Sequence, residues 1–245
     1  GGALLADRIT VTLARWLRAQ GAALHEHARV AQIDANAARV QLADGTVHAG
    51  DLVLVCAGPW VARLVPELAS AVTPSRQVVV YLEPPAERRM AWAGHPMLLD
   101  IGDGTGFYMV PPVSAPDLPG RPGGWTGLKI GDHAFSLKGD PDREREPSLD
   151  EARPILEQCA MRLRDFDRFA VAELKTCFYT VEPREHVIAR SLGGAAWVLS
   201  CCSGHGFKFA SAIGEGFAGL LADKISAGQF ARWVGGESVA SPVVR

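Results

Sequence analysis

No run of 18 apolar residues occurs anywhere in the 245-residue chain, so nothing in it reads as a membrane-spanning helix. Blocks of lysine and arginine are absent too, and with a net charge of -2 the sequence shows no sign of a nucleic-acid surface. Cysteine is scarce. Cys56, Cys159, Cys177, Cys201 and Cys202 are odd in number and include no C-x-x-C pair, which argues against a disulfide framework or zinc site and for a reducing, cytoplasmic compartment. No P-loop, G-x-S-x-G or H-E-x-x-H stretch is present, which removes support for nucleotide triphosphatase, serine hydrolase and zinc protease chemistry. A signal peptide is missing, and the chain begins Gly-Gly rather than with Met, so the natural start is expected to lie upstream.

What is present is an ordinary globular composition, long enough for one large domain or two smaller ones. Ile9, Leu13, Trp16 and Leu17 recur at helical spacing and predict a helix ending before Gly21. Ala22 to Leu24 and Val30 to Ile33 begin a strand region, in which His25 and His27 fall on one face; a solvated edge accounts for them better than a metal pair, and no metal site is expected. Asp44-Gly45 between Ala38–Leu42 and Thr46–Ala49 is a hairpin signal, and DLVLVC (51–56) reads as a fully buried strand. From Arg76 the character changes to β-rich segments separated by Gly/Pro turns, which predicts an inserted antiparallel sheet. DPDRERE (140–146) reads as a solvated charged loop, and Ser148 with Glu151 forms a capping-box pattern opening a helix that Pro154 should kink.

The C-terminal quarter holds the most unusual stretch. AAWVLS (195–200) reads as a strand buried on both faces, SGHG (203–206) as a turn, and Phe209 to about Gly228 as a helix. Gly214, Gly216 and Gly219 inside that helix each cost about 1 kcal/mol relative to Ala, which suggests a close backbone approach. The match GEGFAG (214–219) is no dinucleotide fingerprint, because that motif works only as a strand-to-helix turn. Lys208 stands at the positive end of the helix, where an anion would relieve it; a solvated lysine beside a tight turn is the other reading.

Three motifs in order, GLKIGDHAF (127–135), KTCFYTVEPREHVIAR (175–190) and SGHGFKFASAIGE (203–215), together with RQVVVYLE (76–83), make the chain resemble the monomeric sarcosine oxidase and N-methyltryptophan oxidase family of FAD-dependent amine oxidases. The resemblance implies a mixed α+β and α/β fold: a partial, Rossmann-like FAD-binding domain of the glutathione-reductase type (1–75 and 176–240) with an inserted antiparallel-sheet substrate domain (76–175). Family members open with a βαβ unit whose glycine-rich turn holds the FAD pyrophosphate. No such segment occurs here, so the chain is expected to correspond to the C-terminal two-thirds or so of an oxidase.

Residue by residue, the resemblance implies a thioether from Cys177 to the flavin, although an ordinary buried strand cysteine is the plain reading of that position. Tyr179, two residues on, and Tyr108 match pocket tyrosines, with Tyr179 also counted among the catalytic groups. Met109-Val110 departs from the family's usual Gly-Phe at that place. Lys208 matches a carboxylate-binding lysine, Lys129 the lysine that assists O2 reduction, and His133 a histidine near the substrate amine. Val30, Gly58, Gly204, His205, Gly206, Phe207 and Lys208 match cofactor contacts. The implied partners are a small-molecule amine and O2, with no nucleic acid and no membrane. The implied reaction oxidises sarcosine or another N-methyl amino acid to an aldehyde, the primary amino acid and H2O2. A related flavin dehydrogenase is a rival that Lys129 counts against, since a glutamine would have favoured it. A truncated, non-catalytic fragment is the other rival.

Overall fold

The computed structural model describes residues 3–100, 106–114, 124–132, 134–200 and 202–239. His133 and Cys201 lie outside these residues. The chain divides into two compact units, one of residues 4–74 and 179–245 and one of residues 75–178 with the first three residues.

The first unit opens with α1 (Ala6–Ala19), closed by Gly21 at a φ of 89°. Its apolar stripe follows the expected spacing, yet no residue of the helix is buried. The segment expected to begin a strand at Ala22 is irregular, and His27 takes a left-handed φ of 57°; the first strand is β1 (Val30–Asp34). β1, β2 (Arg39–Leu42) and β3 (Val47–Ala49) form an antiparallel sheet in that order. The Asp44-Gly45 turn sets its register: Gly45 has a φ of 89° and Asp44 Oδ1 accepts from Thr46 N at 2.9 Å. β4 (Val53–Val55) is less enclosed than its sequence suggests, because Leu54 is 39% exposed. α2 (Val61–Leu64) follows and packs Val61, with Val65, Leu68 and Val72, against Val55 and Val198.

The second unit is built on a five-stranded sheet of β5 (Thr73–Glu83), β6 (Leu98–Asp100), β7 (Phe107–Val110), β8 (Leu128–Asp132) and β9 (Ala170–Val181), in the order β6-β7-β8-β5-β9. α3 (Arg89–Ala93) and α4 (Leu149–Arg162) complete it. Ser148 caps α4 through the expected reciprocal bonds with Glu151, and the helix continues through Pro154. Ala152, Ile155 and Cys159 of α4 pack on Val80, Leu82, Phe107, Met109, Leu128 and Ile130, so alternate residues of the strands fill one face of the sheet. Burial pushes the Cys159 thiol up to about 12, which leaves it inert at neutral pH. The 140–146 loop is solvated as expected, exposed from Asp142 to Glu146, and Arg76 fixes it from the sheet by donating to the carbonyls of Glu144 (2.7 Å) and Glu146 (3.2 Å) and pairing with Glu151.

The chain returns to the first unit with β10 (Ile188–Ser191) and β11 (Ala196–Ser200). β11 lies between β10, antiparallel to it, and β4, parallel to it. α5 (Ala210–Leu221) and α6 (Ala227–Val234) cover Trp197 and Leu199 with Phe217 and Phe230. The single helix expected to run to Gly228 is therefore two. Asp223 adopts a φ of 55°, and Ser226 with Gln229 forms a second capping box that starts α6, placing Gly228 in its first turn. A Cβ added at Gly214 or Gly219 would meet nothing within 4 Å, so among the described residues these glycines serve no close approach.

Candidate active site

In the first unit the site is set by the parallel pair. Ligands of open α/β sheets gather beyond the carboxyl ends of parallel strands. Beyond β4 stands Gly58, at a φ of 51°, opening a short 3-10 turn over Gly58–Trp60. Beyond β11 stands the SGHG turn. It is laced to the end of β9: Ser203 N donates to Thr180 O at 3.0 Å, Thr180 N to Cys202 Sγ at 3.5 Å, and Glu182 N to Ser203 Oγ at 3.4 Å. Ser203 is buried and left-handed at a φ of 39°, and Gly204 follows at 79°. The Tyr179 ring lies against Gly204, where a Cβ would stand 2.9 Å from Cε2. At Gly206 a Cβ would meet that of Cys202 at 3.0 Å.

His205 anchors the other side of the turn, with Nε2 3.2 Å from Glu185 O and Nδ1 3.5 Å from the Glu185 carboxylate. The nearby Glu182 carboxyl is buried enough to oppose its ionisation, yet the backbone N–H groups of His186 and Arg184 hold it below its ordinary range. Phe207, Lys208 and Phe209 are exposed on a 3-10 turn, Gly206–Phe209, that leads into α5. Neither this turn nor α5 carries a side-chain cap. Two hydroxyls beside the turn, Thr180 Oγ1 and Ser200 Oγ, are buried without a hydrogen-bond partner among the described residues. Each orphan costs about 1–3 kcal/mol, which a structure tolerates where polar capacity is kept for something else. Val30 is half-buried at the start of β1, where the pairing with β2 shifts register.

In the second unit the candidate residues share one sheet face, opposite α4. Tyr108 pairs with Gly131 across β7 and β8, and its ring fills the space of the missing side chain: a Cβ on Gly131 would stand 2.6 Å from Tyr108 Cζ. Lys129, two residues from Gly131 and so on the same face, pairs with Val110 on one side and Tyr81 on the other. Lys175 Nζ lies 5.3 Å from the centre of the Tyr81 ring and 3.2 Å from Glu173 Oε1. Exposed Cys177 is two residues along β9 from Lys175, on the same strand face. Tyr81 and Lys175 were missed in the sequence. The alternation of RQVVVYLE and the two-residue spacing from Lys175 to Cys177 are the signals that could have found them. His133 follows β8 outside the described residues, and among the described residues no group of three or more metal-binding side chains forms.

The pattern described as "DAO: FAD dependent oxidoreductase" matches residues 1–220. The chain belongs to this family of FAD-dependent oxidoreductases. Within the family it is 30% identical over 227 residues to the monomeric sarcosine oxidase of Streptomyces avermitilis, a match that covers 88% of this chain and 55% of that protein. It is also 30% identical to the N-methyl-L-tryptophan oxidase of Yersinia pestis, covering 92% of this chain and 58% of that one. The chain thus spans a little over half the length of these relatives. The fold matches a modified fructosyl peptide oxidase from Aspergillus nidulans with a TM-score of 0.72, at 18% identity, over 92% of this chain and 56% of that one. Another fructosyl peptide oxidase structure, of a thermally stable mutant, gives a TM-score of 0.75 at 17% identity, with coverages of 92% and 56%.

FAD is the cofactor of the family, and the residues present fit part of one. The SGHG turn offers N-terminal N–H groups without side-chain caps and an exposed cation at Lys208, and beside it stand two buried hydroxyls unsatisfied among the described residues; the space over Gly204 and Gly206 is already taken by Tyr179 and Cys202. Among the described residues no helix is long and apolar enough to cross a membrane.

Proposed function

We propose that this protein serves the oxidation of the secondary amine of an N-methyl amino acid, such as sarcosine, by O2, giving an aldehyde, the primary amino acid and H2O2. Bound FAD would accept the hydride equivalent and pass its electrons to O2. The observation that carries the reading is the face opposite α4, where Tyr108, Lys129, Tyr81 and Lys175 stand in adjoining positions beside Cys177. On this reading Cys177 ties the cofactor to the chain by a thioether. Lys129 places a fixed cation where negative charge develops during O2 reduction. Lys208 holds the substrate carboxylate by a charge-assisted hydrogen bond. Tyr179, Tyr108 and His133 orient the amine, and Val30, Gly58, Gly204, His205, Gly206 and Phe207 give the cofactor its contacts. Residues 1–75 and 176–240 act as the cofactor domain and 76–175 as the substrate domain. The odd number of cysteines and the lack of a C-x-x-C pair support a cytoplasmic enzyme.

A second reading, that the 245-residue chain alone does not turn over, is favoured by one observation: no residue of α1 is buried, although its stripe is apolar. One experiment separates the two. The protein is purified, supplied with FAD, precipitated with acid, and the visible spectra of pellet and supernatant are compared, with peroxide production from sarcosine measured in parallel. Colour in the pellet that is lost in Cys177→Ser supports the oxidase reading and its thioether. Colour found only in the supernatant removes the thioether. A colourless chain without peroxide production supports the second reading.

A further inference from the structure

His25 and His48 come together although 22 residues of irregular chain, strands and turns separate them. Their ring centres are 4.9 Å apart and the planes are inclined at 46°. His25 belongs to the irregular segment after α1; His48 is the middle residue of β3, fixed in register opposite Val40 by the Asp44-Gly45 hairpin. Both sit in the first unit, away from the SGHG turn in sequence, and the proposed oxidase chemistry uses neither. The pairing differs from the sequence expectation: His27, which alternation would place on one face with His25, takes a left-handed φ of 57° in a turn outside any strand.

The spacing has a chemical meaning. A metal–imidazole bond of about 2.0–2.1 Å, plus roughly 1.1 Å from nitrogen to ring centre, puts each centre about 3.2 Å from a shared ion; ligand angles of about 90–109° then separate two centres by about 4.5–5.2 Å. The observed 4.9 Å falls inside that interval. Face-to-face stacking is not what is seen, since the planes are far from parallel. His48 is half-buried and His25 exposed, so the pair is open to solvent from one side.

We infer that His25 and His48 form a two-imidazole chelate for a late first-row divalent cation, Ni2+, Cu2+ or Zn2+, on the surface of the three-stranded sheet. Imidazole nitrogen suits these ions, and their affinities exceed those of the earlier metals. Among the described residues no third protein ligand completes the group, so water takes the remaining positions. The ion ties the segment that follows α1 to β3, and so binds the folded chain in preference to the unfolded one.

The test uses the full, untagged chain with its thiols alkylated, so that Cys56, Cys177 and Cys202 do not compete, and NiCl2 as the probe. Calorimetric titration should show one Ni2+ per chain, and the thermal midpoint should rise with Ni2+ concentration. His25→Ala and His48→Ala should each weaken binding at least about tenfold and abolish the thermal rise, because each leaves a single imidazole. His27→Ala should bind as wild type does. No heat and no thermal shift at millimolar Ni2+, binding that survives in both His25→Ala and His48→Ala, or loss in His27→Ala alone would each overturn the inference. None of these outcomes depends on flavin, so the oxidase reading stands or falls separately.

Discussion

The ring of Tyr179 occupies the space that a side chain at residue 204 would need, with Cε2 2.9 Å and Cζ 3.2 Å from an ideal Cβ on Gly204. The backbone there is left-handed as well, at a φ of 79°. Gly204→Ala therefore meets two penalties, about 1–2 kcal/mol for the conformation and about 1–3 kcal/mol for overpacking. Gly193→Ala supplies the control, because its φ is 84° but nothing lies within 4 Å of its Cβ position. In urea unfolding Gly204→Ala should lose more stability than Gly193→Ala, and the excess should close in a Tyr179→Ala background.

Gly131 and Tyr108 make the opposite kind of contact. The atoms in the way are Cζ, Oη and Cε1, the far end of a ring that can pivot, and the glycine has no left-handed φ. Gly131→Ala should then cost less than about 1.5 kcal/mol in a urea titration. It should nevertheless displace the Tyr108 hydroxyl, and on the proposed function raise KM for the amine more than it lowers kcat. An unchanged KM would separate Tyr108 from the substrate.

Arg76 and Ser148 both donate to the Glu151 carboxylate and hold its pKa at about 2, against 4.5 for the free side chain. The folded state therefore resists protonation of this group more than the unfolded state does. Its contribution is complete above about pH 4.5 and is lost as pH falls towards about 2. Glu151→Gln should flatten the fall of stability across that window, read from urea midpoints at successive pH values, and leave the slope above pH 5 unchanged. An unaltered acid limb would mean that Arg76 does not discriminate between the two states.

The apolar stripe of α1 should be nearly silent in the stability of this chain. Leu13 is 52% exposed and Trp16 58%, so Leu13→Gln and Trp16→Gln should each stay within about 0.5 kcal/mol of wild type. Leu82, wholly buried between the strands and α4, should cost about 2–5 kcal/mol as Leu82→Ala. Denaturant midpoints of the three variants decide the matter. A large loss in Trp16→Gln would show that α1 is covered in solution.

That contrast also marks where the sequence is legible. Helical spacing located α1, and Asp44-Gly45 and Ser148 with Glu151 located a hairpin and a cap, because each signal is local chemistry acting over a few residues. Periodicity gives the apolar face of a helix but not what covers it, and no residue of α1 is buried. Gly228 read as a helix end because glycine is common there; only the Ser226–Gln229 cap shows that a new helix has begun. The loop from Asp140 to Glu146 reads correctly as solvated, but its organiser, Arg76, is not legible because it lies far away in sequence. The same limit hid Tyr81 and Lys175. Their place beside Lys129 depends on strand register, which no single segment encodes.

Register also yields the sharpest test of the catalytic assignments. Lys129 and Lys175 flank Tyr81 on the same sheet face, so a general loss of positive charge would treat them alike. Their surroundings differ: Lys175 is exposed and paired with Glu173 at 3.2 Å, whereas Lys129 is half-buried in the middle of the sheet. Pairing and solvent screen the field of Lys175. If Lys129 stabilises charge developing on O2, removing it costs what losing one preorganised donor costs, about 10²–10³-fold in rate. The flavin-loaded protein, reduced without oxygen and then mixed with O2, should recover its visible absorbance that much more slowly in Lys129→Met, while Lys175→Met slows by less than about threefold. Equal slowing in the two variants would assign the effect to the field of the whole face, and wild-type reoxidation in Lys129→Met would remove the role from this lysine.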